Sequence, residues 1–273
     1  MQRVPKPLLS ALIWLFCAQF AVATPEADNL ARVLRISDVI AIMYEEGIEY
    51  ASDLNDDMLG GEGGQYWIDG VKRLYDTDRM EETLRKSIAD GMDADQISQA
   101  VTFFGSEQGQ RILTLEISAR TTMFDPDIEE LARAIYRDLA GSEDAQLAAV
   151  SQFVQVNNLL EMNIAGALTS SYQFYRGLVD GKAMNLSEEE ILKDVWGQEQ
   201  EIRDDTEGWL FGYLLMAYRP LNKDELASYI TFSDSTAGRA LNQALFDGFD
   251  IMFNAISYEL GRSVARAMKA SDL

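Results

Sequence analysis

Apolar residues recur at three- and four-residue steps along almost the whole chain, which is the pattern of amphipathic helices. No stretch alternates between apolar and polar residues and ends in hairpin turns, so the sequence predicts no β-strand. The tract NDDMLGGEGG predicts a loop, and the apolar steps from Ser235 to Lys269 predict one long helix. A first helix is predicted to end near Leu54, with one apolar side formed by Leu30, Val33, Leu34, Ile40, Met43, Ile48 and Ala51.

The stretch from Ala145 to Tyr175 is predicted to be a helix, and Glu161 is its single charged residue. The apolar residues of this helix lie on several of its sides and do not form one narrow stripe. Either this helix is central and buried on several faces, or part of it meets a partner or an apolar ligand. The amides within it argue against a membrane span, and we favour a central helix.

Two segments of the chain have closely similar sequences. VTFFGSEQGQRIL begins at Val101 and ITFSDSTAGRAL begins at Ile230, which is an offset of 129 residues. Upstream of each segment the spacing predicts a capping box, in which two side chains satisfy the free amides at the start of a helix. The paired residues are Asp93 with Gln96, and Asn222 with Glu225.

Each capped helix is predicted to end at an aromatic residue, and a short polar break follows. A serine then stands where it can cap the next helix, with a glycine in the first turn of that helix. Glycine is unfavourable there, so we expect another backbone to approach closely. The corresponding residues are Phe103, Ser106 and Gly109 in one segment, and Phe232, Ser235 and Gly238 in the other.

The correspondence continues upstream at the same offset, where Trp67 matches Trp196 and Asp76 matches Asp205. We interpret the chain as two diverged copies of one helical unit, residues 24–144 and 145–273. Two copies are too few for a solenoid. The predicted fold is therefore all-α, a pseudo-symmetric pair of helical bundles preceded by a signal peptide.

The twin segments resemble the bacterial family called domain of unknown function 2059, whose usual signature is an aromatic pair followed by Ser-Pro-x-Gly. Phe103, Phe104, Ser106 and Gly109 fit this signature, although Glu107 stands where proline is common. The second segment departs further, with Ser233 in place of the second aromatic and Thr236 in place of proline. The resemblance implies an all-helical, exported protein of unknown biochemical activity.

The first 23 residues have the three parts of a Sec-type signal peptide. Arg3 and Lys6 give the positive start, LLSALIWLFCAQF gives the apolar middle, and Ala21-Val22-Ala23 gives the cleavage site. We expect cleavage after Ala23 and a periplasmic or secreted protein. A retained anchor helix is the alternative, and we expect no transmembrane span once the signal peptide is removed.

The chain beyond Ala23 contains neither cysteine nor histidine. This composition excludes disulfides, zinc sites of the Cys/His kind and catalysis by Ser-His-Asp or Cys-His systems. The net charge of -22 repels phosphate backbones, so we expect no nucleic-acid binding. We also expect no cofactor.

The sharpest signal for a metal is the spacing of Asp53, Asn55 and Asp57, which matches the first three ligand positions of a calcium loop. Met58 and Gly64 stand where such a loop needs glycine and glutamate. We therefore favour an acidic connector over a metal site. Trp67 and Trp196 could line a ligand pocket, but we expect both in the core.

The sequence favours a non-enzymatic protein that binds or scaffolds something in the cell envelope, through a cleft or face between the two helical halves. Its partner would be an envelope protein or a second copy of the chain. One alternative is a carboxylate-dependent hydrolase of cell-wall glycan, which needs two suitably spaced acids. Another alternative is a carrier of an apolar ligand.

Overall fold

The computed structural model describes residues 24–271, and the predicted signal peptide, residues 1–23, lies outside them. The described residues form thirteen α-helices and no β-strand, which confirms the predicted all-α class. The helices are α1 (Pro25–Val33), α2 (Ile36–Leu59), α3 (Gly64–Leu74), α4 (Thr77–Gly91), α5 (Ala94–Phe104), α6 (Glu107–Thr122), α7 (Pro126–Leu139), α8 (Ala145–Val156), α9 (Leu159–Asp180), α10 (Glu188–Gly197), α11 (Glu199–Tyr218), α12 (Lys223–Asp234) and α13 (Thr236–Ser271).

Two predicted helices are each broken in two by a residue in the left-handed backbone region. Arg35, with a φ of 58°, separates α1 from α2, and Asn158, with a φ of 51°, separates α8 from α9. The predictions of one helix from Leu30 to Leu54 and one from Ala145 to Tyr175 were therefore wrong. The break at Arg35 redirects the chain so that Leu34 and Ile36 can both be buried. A left-handed residue costs about 1–2 kcal/mol, which this burial offsets.

The order of the helices is the same in both halves of the chain. Six helices, α1 to α6, precede α7, and six more, α8 to α13, follow it. In each half the left-handed break falls between the first and second helix, and a capping box begins the fifth. The boundary predicted between residues 144 and 145 coincides with the start of α8.

Helices of each half pack against helices of the other half. The sixth helix of the first half, α6, packs against α11 of the second, and α13 packs against α4 of the first. Buried residues from both halves form one hydrophobic core cluster, which includes Leu84 and Ile88 beside Leu215 and Leu260. Because the core is shared, neither half buries its apolar surface without the other.

The serine junctions before α6 and α13 have the same local geometry. Ser106 has φ and ψ angles of -70° and 162°, and Ser235 has a φ of -70° and a ψ of 164°. Each serine hydroxyl oxygen accepts a hydrogen bond from the amide of the glycine three residues later, at 3.0 Å and 3.1 Å respectively. The capping boxes at Asp93 and Asn222 are also present. The predicted capping is thus confirmed at all four helix starts.

The glycines of the junctions lie against the preceding helix. A Cβ atom at Gly109 would overlap the carbonyl oxygen of Phe103, and one at Gly238 would overlap that of Phe232. The predicted close approach of another backbone is therefore confirmed at both positions. The rings of Phe103 and Phe232 stack on each other with centroids 4.3 Å apart and planes inclined by 9°. The two junctions thus meet where the halves are in contact.

The correspondence between the halves fails at other matched positions. Trp67 is buried and its indole N–H donates to the carbonyl of Ala51 at 3.0 Å, so its predicted core role is confirmed. Trp196 is 60% exposed, and its predicted core position was wrong. Asp76 caps α4, whereas Asp205 lies inside α11.

Helices α9 and α13 pack side by side, and their backbones approach closely at Gly177 and Gly261.

Among residues 24–271, no helix combines the length and the apolar content that a membrane span requires.

Replacing either junction glycine with alanine should destabilise the protein, because the added methyl group overlaps fixed backbone. We expect Gly109→Ala and Gly238→Ala each to lower the free energy of unfolding by about 1–3 kcal/mol. Urea unfolding followed by circular dichroism measures this loss. Gly70→Ala is the matched control, because its nearest neighbour is a side-chain nitrogen of Arg73 at 3.9 Å. The control should be neutral or stabilising by up to about 1 kcal/mol, and equal losses at all three positions would contradict the packing argument.

Candidate functional site: a cavity between the halves

A cavity of about 570 Å³ lies between the two halves and is lined mainly by α2, α6, α9, α11 and α13, with further lining residues from α5, α8 and α12. Its volume falls within the range of small-molecule binding sites, about 300–1,000 Å³. Most of its lining is apolar, as in such sites generally. We name it the central cavity.

Positions of α6 and α13 that are 129 residues apart, which is the offset between the two similar sequence segments, line the central cavity. The four lining residues of α6 and their counterparts on α13 are Leu113 and Asn242, Glu116 and Leu245, Ile117 and Phe246, and Arg120 and Phe249. The same face of both helices therefore points into one cavity. An acid and a base on α6 correspond to apolar residues on α13, so the wall formed by α6 is the more strongly charged.

Glu116 is held in this wall by three tyrosines. Its Oε1 atom accepts hydrogen bonds from the hydroxyls of Tyr218 at 2.6 Å and Tyr229 at 3.2 Å. The Tyr213 hydroxyl donates to the backbone carbonyl of Glu116 at 3.3 Å. The Oε2 atom accepts no hydrogen bond from any described residue and is not fully buried, so it is open to the cavity that Glu116 lines. We name these four residues the Glu116 cluster.

Burial dominates the electrostatics of the Glu116 cluster. It raises the pKa of Glu116 from 4.5 to about 7, although the hydrogen bonds from Tyr218 and Tyr229 act in the opposite direction. Burial, and then the nearby Glu116 carboxylate, raise the pKa of both tyrosines well above the ordinary value. The two hydroxyls therefore stay protonated and serve as donors, while Glu116 changes its charge near neutral pH.

Arg120 lies one turn after Glu116, but its charge is matched elsewhere. Its Nε and Nη2 atoms donate to the two carboxylate oxygens of Glu46 on α2 at 2.9 Å and 2.7 Å. The guanidinium also lies over the ring of Trp209, 5.5 Å from its centroid. This bidentate pair joins α2 to α6, and it leaves Glu116 without a cation of its own.

A second cavity of about 590 Å³ adjoins the central one. Met43, Ser170 and Phe253 line both cavities. Arg120 lines the central cavity and Glu46 lines the second, so their ion pair lies beside the partition between them.

The residues proposed as a calcium loop do not form a loop. Asp53, Asn55 and Asp57 lie in the last turns of α2, where residues two apart point to different sides of the helix. The side-chain oxygen of Asn55 instead accepts from the amide of Gly63 at 2.8 Å. Within residues 24–271, no group of three or more acidic, cysteine or histidine side chains is placed to hold a metal ion.

The junction motif borders the cavity without forming its polar wall. Of its six residues, Phe232 and Gly238 line the cavity, while Phe103, Ser106, Gly109 and Ser235 do not. Glu116 is not among the residues predicted from the sequence, although its position carries a signal. Glu116 stands three residues after Leu113 and three before Ala119, which are both buried, so an acid lies on the apolar side of α6.

Comparison with known proteins gives one match. Residues 78–138 match a bacterial family described as "uncharacterized protein conserved in bacteria" (DUF2059). This segment spans nearly all of α4 to α7, and it contains the first junction together with Glu116 and Arg120. Neither a curated protein nor a solved structure matches the chain.

The raised pKa of Glu116 predicts a pH-dependent loss of stability. The folded protein holds this proton more tightly than the unfolded chain does. Stability from this group is therefore complete below pH 4.5 and is lost as the pH rises through about 7. Glu116→Gln removes the ionisation. Between about pH 5 and about pH 8 the variant should gain about 2–3 kcal/mol of unfolding free energy relative to the unchanged protein.

Urea unfolding at both pH values measures this gain. Tyr218→Phe provides the companion test, because it removes a hydrogen bond that lowers the pKa of Glu116. In that variant the fall in stability should move to higher pH. A difference between Glu116→Gln and the unchanged protein that is independent of pH would contradict the assignment.

Proposed function

We propose that this chain is an exported, non-enzymatic binding protein that holds an apolar small molecule in the central cavity. The observation that carries the proposal is the cavity itself, which lies between the two halves and is open enough to be filled. Cavities lined by apolar side chains with a few convergent polar groups are the usual form of small-molecule sites. The aromatic and aliphatic walls, including Trp209, Phe249 and Phe253, suit an apolar ligand.

The energetics favour a ligand of some length. Each buried methylene contributes about 0.8 kcal/mol, so about ten of them contribute about 8 kcal/mol. Association costs about 4–15 kcal/mol, and a longer chain offsets more of this cost. A ligand with about ten or more apolar carbons is therefore favoured over a shorter one.

Gene duplication accounts for the location of the cavity. The common helix order, the two left-handed breaks and the identical serine junctions support two diverged copies of one unit. The matched lining positions of α6 and α13 support it further. Both copies would then contribute the same face to a shared site, as the predicted cleft between halves requires.

Export is proposed from the first 23 residues, which have the parts of a signal peptide. A periplasmic or secreted binding protein would meet apolar compounds of the cell envelope. An envelope protein or a second copy of the chain remains the predicted partner for delivery or scaffolding.

The hydrolase alternative receives less support. Two carboxylates, Glu116 and Asp250, line the central cavity, but most of the lining is apolar. A glycan presents many hydroxyl groups, which need polar partners along a groove. Glu116 is also bound by two tyrosine hydroxyls, which occupy one of its oxygens.

Filling the central cavity tests the proposal. N-phenylnaphthylamine is a neutral apolar dye whose emission rises in apolar surroundings, and we expect the protein to bind it. Ala167 lines the cavity, and Ala167→Phe should weaken dye binding by about tenfold or more because the ring occupies the site. Ala165 lies two residues away on the same helix and is exposed, so Ala165→Phe is the matched control.

Two results would count against the proposal. Dye that fails to bind the unchanged protein would exclude a fillable cavity of this kind. Equal binding by both phenylalanine variants would place the dye elsewhere. If the dye does bind in the central cavity, mass spectrometry of compounds extracted from the purified, exported protein should identify the natural ligand.

A further inference from the structure

We infer that the ligand of the central cavity carries a cationic head group, such as a primary ammonium, which binds against Glu116. This inference rests on the proposed function, because it names the chemistry of a ligand for that same cavity. The observations behind it are the open Oε2 atom of Glu116, the balance of charges around the cavity, and the aromatic rings beside it.

Among the described residues, neither of the two carboxylates that line the central cavity, Glu116 and Asp250, forms an ion pair. Among the described residues that line it, Glu116, Arg120 and Asp250 carry charge. The guanidinium of Arg120 forms two hydrogen bonds with Glu46, so its charge is already matched. An ionised Glu116 therefore has no counter-ion in the cavity, and a carboxylate buried without one is strongly unfavourable.

The hydrogen bonds of Glu116 also indicate a donor on the ligand. Tyr218 and Tyr229 both donate to Oε1, and Oε2 faces the cavity without a partner among the described residues. An ammonium group donates to such an oxygen and supplies the missing charge at the same time. A carboxylate head would instead meet the carboxylate of Glu116, and an alcohol would supply a donor without a charge.

Aromatic rings of the Glu116 cluster suit a cation as well. Tyr213 stacks on Trp209 with centroids 5.2 Å apart, and both line the cavity, although the guanidinium of Arg120 already lies over the Trp209 ring. Tyr218 and Tyr229 meet edge to face at 6.0 Å and line it too. Ring faces attract cations and have no comparable attraction for a carboxylate.

The protonation of Glu116 should control this binding. The titratable and charged groups around it are its hydrogen-bonding neighbours Tyr213 and Tyr218 from α11 and Tyr229 from α12, then Arg120 from its own helix α6 with its partner Glu46 from α2, and Asp250 from α13 in the lining of the same cavity. Of the groups in direct contact with Glu116, the tyrosines keep their protons near neutral pH. A cationic head should therefore bind better above pH 7 than below it.

Three probes with the same chain but different heads test the inference. Dodecylamine, dodecanol and dodecanoate are each used, below the concentration at which they aggregate, to displace N-phenylnaphthylamine from the full exported protein at about pH 8. We expect half-displacement by dodecylamine at a concentration about tenfold lower than by dodecanoate, since one charged contact is worth about a factor of ten. Dodecanol should lie between them.

Glu116→Gln should remove most of the preference for the amine, measured as the ratio of the half-displacement concentrations of dodecanoate and dodecylamine in that variant. Glu207→Gln is the matched control, because Glu207 also accepts a hydrogen bond from a tyrosine, Tyr136, and lines neither cavity. The control should keep the tenfold preference. If Glu116→Gln does not fold, the unchanged protein serves alone, and its preference for the amine should fall several-fold between about pH 8 and about pH 5.5.

The outcomes separate the two proposals. If the dye and all three probes fail to bind, the proposed function is wrong and the inference falls with it. If all three probes displace the dye equally, or dodecanoate does so best, the cavity binds apolar chains but the cationic head is overturned. A preference for the amine that persists in Glu116→Gln also overturns the role of Glu116.

Discussion

The close contact between the first turn of a helix and the end of the helix before it is the constraint on which the cavity depends. At each junction a serine begins the helix, and a glycine three residues later leaves room for a neighbouring carbonyl. The stacked rings of Phe103 and Phe232 join the two junctions. Helices α6 and α13 leave from this point and then present matched faces to the central cavity. A change in direction at either junction would therefore move a wall of the site.

A second feature distinguishes the cavity from a packing defect. When an acid on the apolar side of α6 ionises, it destabilises the fold, and the surrounding residues balance only part of this cost. The tyrosines satisfy one oxygen of Glu116, while the nearest guanidinium binds Glu46 instead. Buried acids with strongly shifted pKa values are concentrated at functional sites, where their cost in stability is tolerated. The presence of Glu116 in the wall formed by α6 is therefore better explained by the binding of the proposed ligand than by a contribution to folding.

Features that depend on a few neighbouring residues could be predicted from the sequence. The capping boxes at Asp93 and Asn222 and the caps at Ser106 and Ser235 each involve residues within four positions. The break at Arg35 could not, because arginine rarely adopts the left-handed backbone, whereas Asn158 belongs to a residue type that adopts it more readily. Propensity also failed at NDDMLGGEGG, where the helix continues through Leu59 before Gly60 ends it.

The candidate site could be predicted only in part. The position of Glu116 among apolar residues is visible in the sequence, and it marks an acid that needs an explanation. Its partners are about a hundred positions away, and nothing local connects it with Tyr218 or Tyr229. The same limit applies to Trp196, whose pattern resembles that of Trp67 although one ring is exposed and the other is buried. The surroundings of these side chains depend on how helices of one half pack against helices of the other, which local sequence does not indicate.

The proposed duplication explains why two linked copies would serve such a site better than two identical subunits. A symmetric dimer repeats every residue, so it would place a second carboxylate at the position that Leu245 occupies in the central cavity. Two acids in one apolar space disfavour each other's ionisation. Linkage in one chain lets position 245 become leucine and position 249 phenylalanine, while α6 keeps Glu116 and Arg120. At the four matched positions α6 carries an acid and a base where α13 carries uncharged residues, and such unequal walls can orient an amphiphile, which two equal walls could not do.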